Sequence, residues 1–126
     1  MTAPFFGSWC CQHMMAHEFE TKEVEKYNVE FALYSQESYD GSAYVLLRRY
    51  DDKGTQLYDV EAGHCSCDGL EEQFVPKPTN IPAVRLFIEN DYIFLHEPEA
   101  KAFLKARLDT LERQYPELKR EVTNGD

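Results

Sequence analysis

Between Tyr27 and Ala62 the chain alternates side chains of opposite character three times, and a glycine-containing turn separates each run from the next. A period of two residues puts successive side chains on opposite faces of an extended backbone, so this stretch demands β-sheet. In the first run Tyr27, Val29, Phe31 and Leu33 fall on one face and Asn28, Glu30 and Ala32 on the other. Ser38-Tyr39-Asp40-Gly41 carries the Asp-Gly turn signal and leads into Ser42 to Tyr50, where Tyr44, Leu46 and Arg48 oppose Ala43, Val45 and Leu47. That strand is apolar on most of both faces. Asp51-Asp52-Lys53-Gly54 is a second turn, with glycine placed for a left-handed residue, and Thr55 to Ala62 alternates Leu57, Asp59 and Glu61 with Tyr58, Val60 and Ala62. Three strands joined by short turns make a three-stranded antiparallel meander.

The flanks read as helix. Trp9 to Lys26 places Met14, Met15, His17 and Phe19 among polar residues, and only its first half is apolar enough to pack on a core. Gly63 to Asn80 is too irregular and proline-rich for either regular element and reads as an ordered loop leaving the sheet. Thr79 and Asn80 are N-cap candidates for a short buried helix containing Ile81, Val84, Leu86, Phe87 and Ile88, with Pro82 in its first turn; a strand over 81–89 is the alternative. The last helix starts near Pro98, carries the stripe Leu104, Leu108, Leu111 and Tyr115, and must end by Tyr115, because Pro116 disfavours helical geometry in the residue before it. The expected fold class is α+β: an N-terminal helix, the meander, and one or two C-terminal helices packed over one sheet face. At 126 residues, 43% hydrophobic and 13% aromatic, residues 1–126 form a single domain, with 1–8 and 117–126 as flexible ends.

Charge narrows the partners. Thirteen Lys plus Arg against 23 Asp plus Glu leave a net charge of -10, which repels nucleic-acid phosphates and anionic membranes and attracts basic protein surfaces. Glu18, Glu20, Glu23, Glu25, Glu30, Glu37 and Asp40 set seven carboxylates against Lys22 and Lys26, a local sum of -5. Such a run is either a solvated helix end or a docking surface, and Glu18, Glu20, Glu23 and Glu25 are its candidate binding residues. Met1 to Gly7 lacks a basic leader and no window approaches a membrane span, so the expected compartment is the cytoplasm.

In a reducing compartment four cysteines read as thiols or metal ligands. Cys65 and Cys67 lie two apart beside His64, on the same side of an extended backbone, and can offer two thiolates to one ion. A structural zinc site needs four such ligands, which Cys10 and Cys11, with His13 and His17 on one helical face, can complete. The competing expectation is buried structural thiols, since free Cys is among the most buried residue types. Asp68, Glu71 and Glu72 crowd the same loop as His64 and form a second candidate binding cluster. A cysteine nucleophile with His64 as base is disfavoured because sequence neighbours in an extended chain point to opposite faces, and no phosphate-binding glycine loop, G-x-S-x-G or H-E-x-x-H occurs.

The string His64-Cys65-Ser66-Cys67-Asp68-Gly69-Leu70-Glu71, followed by Gln73-Phe74 and preceded by the hairpin Ala43 to Arg49 and Leu57 to Val60, resembles small proteins encoded by bacteriophages and prophages. The resemblance covers about Val29 to Phe74 and departs after it, where Val75-Pro76-Lys77-Pro78 replaces an acidic Pro-Glu-Glu stretch. It implies provenance and a β-meander, and it carries no assigned activity. The function expected from residues and resemblance together is that of a phage-derived acidic accessory protein binding a host or defence protein with a basic surface, in the manner of an inhibitor presenting nucleic-acid-like charge. A zinc-stabilised interaction module and a thiol-dependent enzyme are the alternatives.

Overall fold

The computed structural model of the chain describes residues 4–37, 40–52, 54–64 and 70–120. Its elements in order are β1 (Phe5–Gly7), α1 (Gln12–Phe19), β2 (Asn28–Glu37), β3 (Asp40–Asp51), β4 (Gly54–His64), β5 (Lys77–Thr79), α2 (Ile81–Asn90) and α3 (Pro98–Gln114). Single 3-10 turns lie at Glu23–Lys26, Tyr92–Phe94 and Pro116–Lys119. The class is α+β, but the sheet has five strands in the order β1-β2-β3-β4-β5, and it is mixed: β1 runs parallel to β2 and every other pair is antiparallel. The expected three strands are its centre. Its edges come from three-residue segments, too short to show alternation, in the supposedly flexible start and in the supposedly irregular loop. Glycine makes the first edge feasible: Gly7 has φ 71°, and a Cβ there would sit 2.1 Å from the carbonyl oxygen of Tyr34.

β3 and β4 pair from Gly41 opposite His64 to Asp51 opposite Gly54, without interruption. β2 does not pair as evenly. Val29 faces Leu47 and Phe31 faces Leu46, so Glu30 is an extra residue and the strand bulges there. The bulge moves Tyr27 and Val29 to the face shared by Ala32 and Tyr34, while Phe31 and Leu33 point to the opposite one. The single face expected for Tyr27, Val29, Phe31 and Leu33 is therefore split in two, because one inserted residue inverts every side chain beyond it.

Both faces of the sheet are covered. On one, Phe31, Leu33, Tyr44, Leu46 and Leu57 meet Ile81, Val84 and Ile88 of α2 and Ala100, Leu104, Leu108 and Leu111 of α3. The bulged Glu30 lies at the edge of this core, buried, and its carboxylate accepts from Arg48 Nε at 2.8 Å and from an Arg107 guanidinium nitrogen at 3.1 Å, tying β2 to β3 and to α3. The two guanidinium groups lie over the rings of Tyr115 and Phe103. Asn80 caps α2 by accepting from the Ala83 N–H at 2.8 Å, and its amide donates to the Arg120 carbonyl at 2.8 Å. Residues 81–90 are thus helical, and the capping Asn with Pro82 explains why. Leu86 faces solvent and is not part of the core. The expected tail begins as an ordered turn whose Leu118 is buried.

The other face holds the N-terminal layer. Met15 and Phe19 of α1, with Trp9 and Val24, pack on Ala32, Tyr34, Ala43, Val45, Leu47 and Val60. The helix expected over Trp9 to Lys26 stops at Phe19 because Glu20 takes a left-handed conformation, φ 53°. Glu20 N–H donates to the His17 carbonyl and Thr21 N–H to the Ala16 carbonyl, both at 3.1 Å, the hydrogen-bond pair of a Schellman ending. A non-glycine residue in this conformation costs roughly 1 kcal/mol. Burial of Val24, one turn on, helps offset it. Among the described residues no helix is long and apolar enough to cross a membrane.

Candidate functional site

α1 turns Met15 and Phe19 to the sheet, which leaves His13 and His17, four residues apart, exposed on its outer side. Two hollows open on either side of that histidine ridge. The first, of about 290 Å³, is lined by Ser8, Trp9, His13, Met14, His17, Glu18 and Tyr34. The second, of about 490 Å³, is lined by His13, Ala16, His17, Glu20, Thr21, Lys22 and Glu25. The floor of the first is aromatic: Trp9 lies 5.1 Å from the Tyr34 ring and 5.6 Å from the Phe19 ring, centre to centre. Trp9 is buried, and its indole Nε1–H has no partner among the described residues, at a cost of roughly 1–3 kcal/mol.

Three of the four acidic residues expected on this side line the hollows: Glu18 the first, Glu20 and Glu25 the second. The left-handed turn at Glu20 and the 3-10 turn after it bring Glu25 back alongside α1, which a continuous helix would not do. Glu23 lies apart from both and pairs with Lys26 at 2.8 Å. Lys22 is the one cation among the lining residues. Trp9, Met14 and Tyr34 were not expected in a site. They come from the segment before α1, from α1 and from β2, so only the packing of α1 on the sheet juxtaposes them.

The loop after β4 is different. Cys65, Cys67 and Asp68 lie outside the described residues, and of His64 the backbone alone is described, paired at the end of β4 with Gly41. Glu71 and Glu72 are exposed, Glu72 with φ 66°, and neither lines the hollows on α1. Leu70, Gln73 and Phe74 of the resembling string hold structure. Leu70 is fully buried under α1. The Gln73 amide clasps the backbone of Gly63 in both directions, accepting from its N–H at 2.9 Å and donating to its carbonyl at 2.8 Å. Phe74 sets its ring against Phe19 at 5.4 Å and against Tyr27.

For zinc, the described residues contain no group of three His, Cys, Asp or Glu side chains placed to hold an ion. Cys10 is exposed and Cys11 half-buried, both as free thiols. Elsewhere, one internal pair has perturbed titration: the Tyr44 hydroxyl donates to Asp59 Oδ2 at 2.8 Å, with the Phe87 ring stacked 4.2 Å from that of Tyr44. Burial pushes the Asp59 carboxyl up from its ordinary range, against the opposing effect of the Tyr44 hydrogen bond, and burial beside Asp59 pushes Tyr44 well up. This pair sits beneath α2 and reads as core.

Compared with protein-family models, with curated proteins and with solved structures, the chain matches none of them.

Proposed function

We propose that the chain is an acidic binding protein that docks the α1 side of its sheet on a basic surface of a partner protein. The observation that carries this reading is the convergence of Glu18, Glu20 and Glu25 on two adjoining hollows that hold Lys22 as their one cation. An arginine or lysine side chain suits such a hollow. Its aliphatic stem lies on Trp9, Met14 or Ala16 while its charge meets the rim carboxylates. The net charge of -10 adds long-range attraction for the same partner and repels free nucleic acid. A basic surface evolved to hold nucleic acid is a natural target, and with the phage-like string around Cys65 the reading becomes an accessory protein that occupies a host or defence protein in the host cytoplasm.

The test is capture from host lysate at low and moderate salt, followed by association kinetics with the partner recovered. Glu18→Lys, Glu20→Lys and Glu25→Lys together should slow association at least about tenfold at low salt and flatten its salt dependence, with thermal stability nearly unchanged because exposed charges contribute little to folding. A triple variant that keeps the wild-type rate and salt slope removes this surface from the account.

A further inference from the structure

His13 and His17 each line both hollows on the α1 side, so their imidazoles stand among the carboxylates that draw a basic partner in. Both are exposed, four residues apart on one helix. Histidine is the side chain whose ordinary titration falls between pH 5 and 8, and carboxylates in general give up their charge about two pH units lower. Near neutrality, therefore, the imidazoles are what changes the charge of this face. The charged and titratable groups facing them come from three elements: Glu18 from α1 with Glu20 from its C-cap, Lys22 and Glu25 from the 3-10 turn that follows, and Tyr34 from β2.

We propose that His13 and His17 make docking pH-dependent: the α1 face holds its basic partner at neutral pH and releases it as the two imidazoles take up protons. The inference rests on the docking reading and adds the regulation of that same surface. With both imidazoles neutral, Glu18, Glu20 and Glu25 against Lys22 leave the hollows with a charge of -2, and two protons bring it to zero. The protons and the partner's arginine or lysine side chains compete for the same carboxylates. Linkage makes that competition reciprocal, so the partner must expel protons to the degree that protons weaken its binding. One unit charge roughly 7 Å from another in a water-like medium changes an affinity about threefold, and two such changes compound to about tenfold. Met15 and Phe19 hold α1 to the sheet from its other side, so the charge change leaves the core contacts in place.

The probe is a nona-arginine peptide, titrated calorimetrically into the full chain at low salt and at two pH values, about 7.5 and about 5.5, which bracket histidine titration. The wild-type Kd should rise about tenfold from the higher pH to the lower. His13→Gln with His17→Gln should reduce that change to less than about twofold, circular dichroism verifying the fold. His96, exposed between α2 and α3 and lining neither hollow, is the control: His96→Gln should keep the wild-type pH dependence. Binding heats measured near pH 6.5 in buffers of different ionisation enthalpy should show proton release by the wild-type chain and none by the double histidine variant. A double variant that keeps the wild-type pH dependence overturns the proposal, as does a wild-type Kd that is the same at both pH values. Glu18→Lys, Glu20→Lys, Glu25→Lys separates the switch from the docking beneath it. If that variant binds the peptide as the wild type does, or the wild type binds at neither pH, the docking reading falls and the switch with it. If it loses binding while the double histidine variant keeps the wild-type pH dependence, the switch alone falls.

Discussion

Replacing Glu30 with Gln preserves the shape of a side chain on which three elements converge and removes its charge. The carboxylate side chain is 7% exposed, while Arg48 and Arg107, its partners, are 21% and 30% exposed. Removing one member of a buried ion set typically costs about 3–5 kcal/mol, because the remaining charges are left without compensation in a poorly hydrated place. Here both guanidinium groups keep some access to water, and the neutral amide still accepts one hydrogen bond, so the expected loss for Glu30→Gln is lower, about 2–4 kcal/mol. At this chain length that corresponds to a fall in Tm of roughly 8–16 °C. Urea unfolding followed by Trp9 fluorescence and by far-ultraviolet circular dichroism measures it, and the slope with urea should not change. Glu89→Gln is the internal standard: its partner Lys105 lies 2.9 Å away on an exposed, solvent-screened surface, where removal should leave the urea midpoint nearly unchanged. A double-mutant cycle with Arg107→Met should return a coupling of about 1–3 kcal/mol between β2 and α3. If Glu30→Gln costs no more than Glu89→Gln, the carboxylate does not hold the bulge to α3 and this account of the layer contact is wrong.

Gly7→Ala should lose at least about 2 kcal/mol, since the new methyl would overlap the Tyr34 carbonyl and the left-handed backbone is strained for alanine; an unchanged urea midpoint would mean that β1 is dispensable. For Asp59→Asn the sign follows from a folded-state pKa raised by burial: the contribution of Asp59 is present below the ordinary carboxylate range and is lost as pH rises through the raised value. The stability of Asp59→Asn relative to wild type should therefore climb between about pH 4 and neutrality, and parallel pH profiles of Tm would contradict it. Gln73→Ala removes both hydrogen bonds to Gly63 and should cost about 1–2 kcal/mol, with hydrogen exchange at the Gly63 amide accelerated roughly tenfold or more.

What could be read from sequence is what local pattern decides. The alternation of Tyr44 with Val45 and of Leu57 with Tyr58 survives in the sheet because side-chain period is a property of a single strand. Asn80 before Pro82 marks a helix start through a hydrogen bond spanning three residues. Glu30 carries no such mark: the partners of the bulged residue, Arg48 and Arg107, lie 18 and 77 positions away. Glu20 is equally silent, since a helix ending through a glutamate in left-handed geometry violates the preference for glycine there. The edge strands Phe5–Gly7 and Lys77–Thr79 exist by pairing with residues of β2 and β4 distant in the chain. The acidic composition of the site was legible, but its shape was not, because Trp9, Tyr34 and Glu25 adjoin α1 only after it has packed. In the loop, Leu70 and Gln73 read as parts of a motif, and their work as core plug and backbone clasp becomes visible with Gly63 and Phe19 in place.

The separation between Glu30 and its second arginine also orders events on the ribosome. β2, β3 and β4 can pair as soon as residue 64 has left the exit tunnel, and α1 is already available to cover one face. The opposite face, with Phe31, Leu33, Tyr44, Leu46 and Leu57, is covered first by α2 and is complete only with α3, whose end lies about 50 residues later, or roughly 3–10 s at ordinary elongation rates. During that interval a hydrophobic sheet surface stands partly open, with Glu30 held by Arg48 alone among its two eventual arginines. A carboxylate at the margin of that surface is an obstacle to pairing with another nascent chain, and Arg107, arriving with α3, gives it a second partner at the moment the face closes.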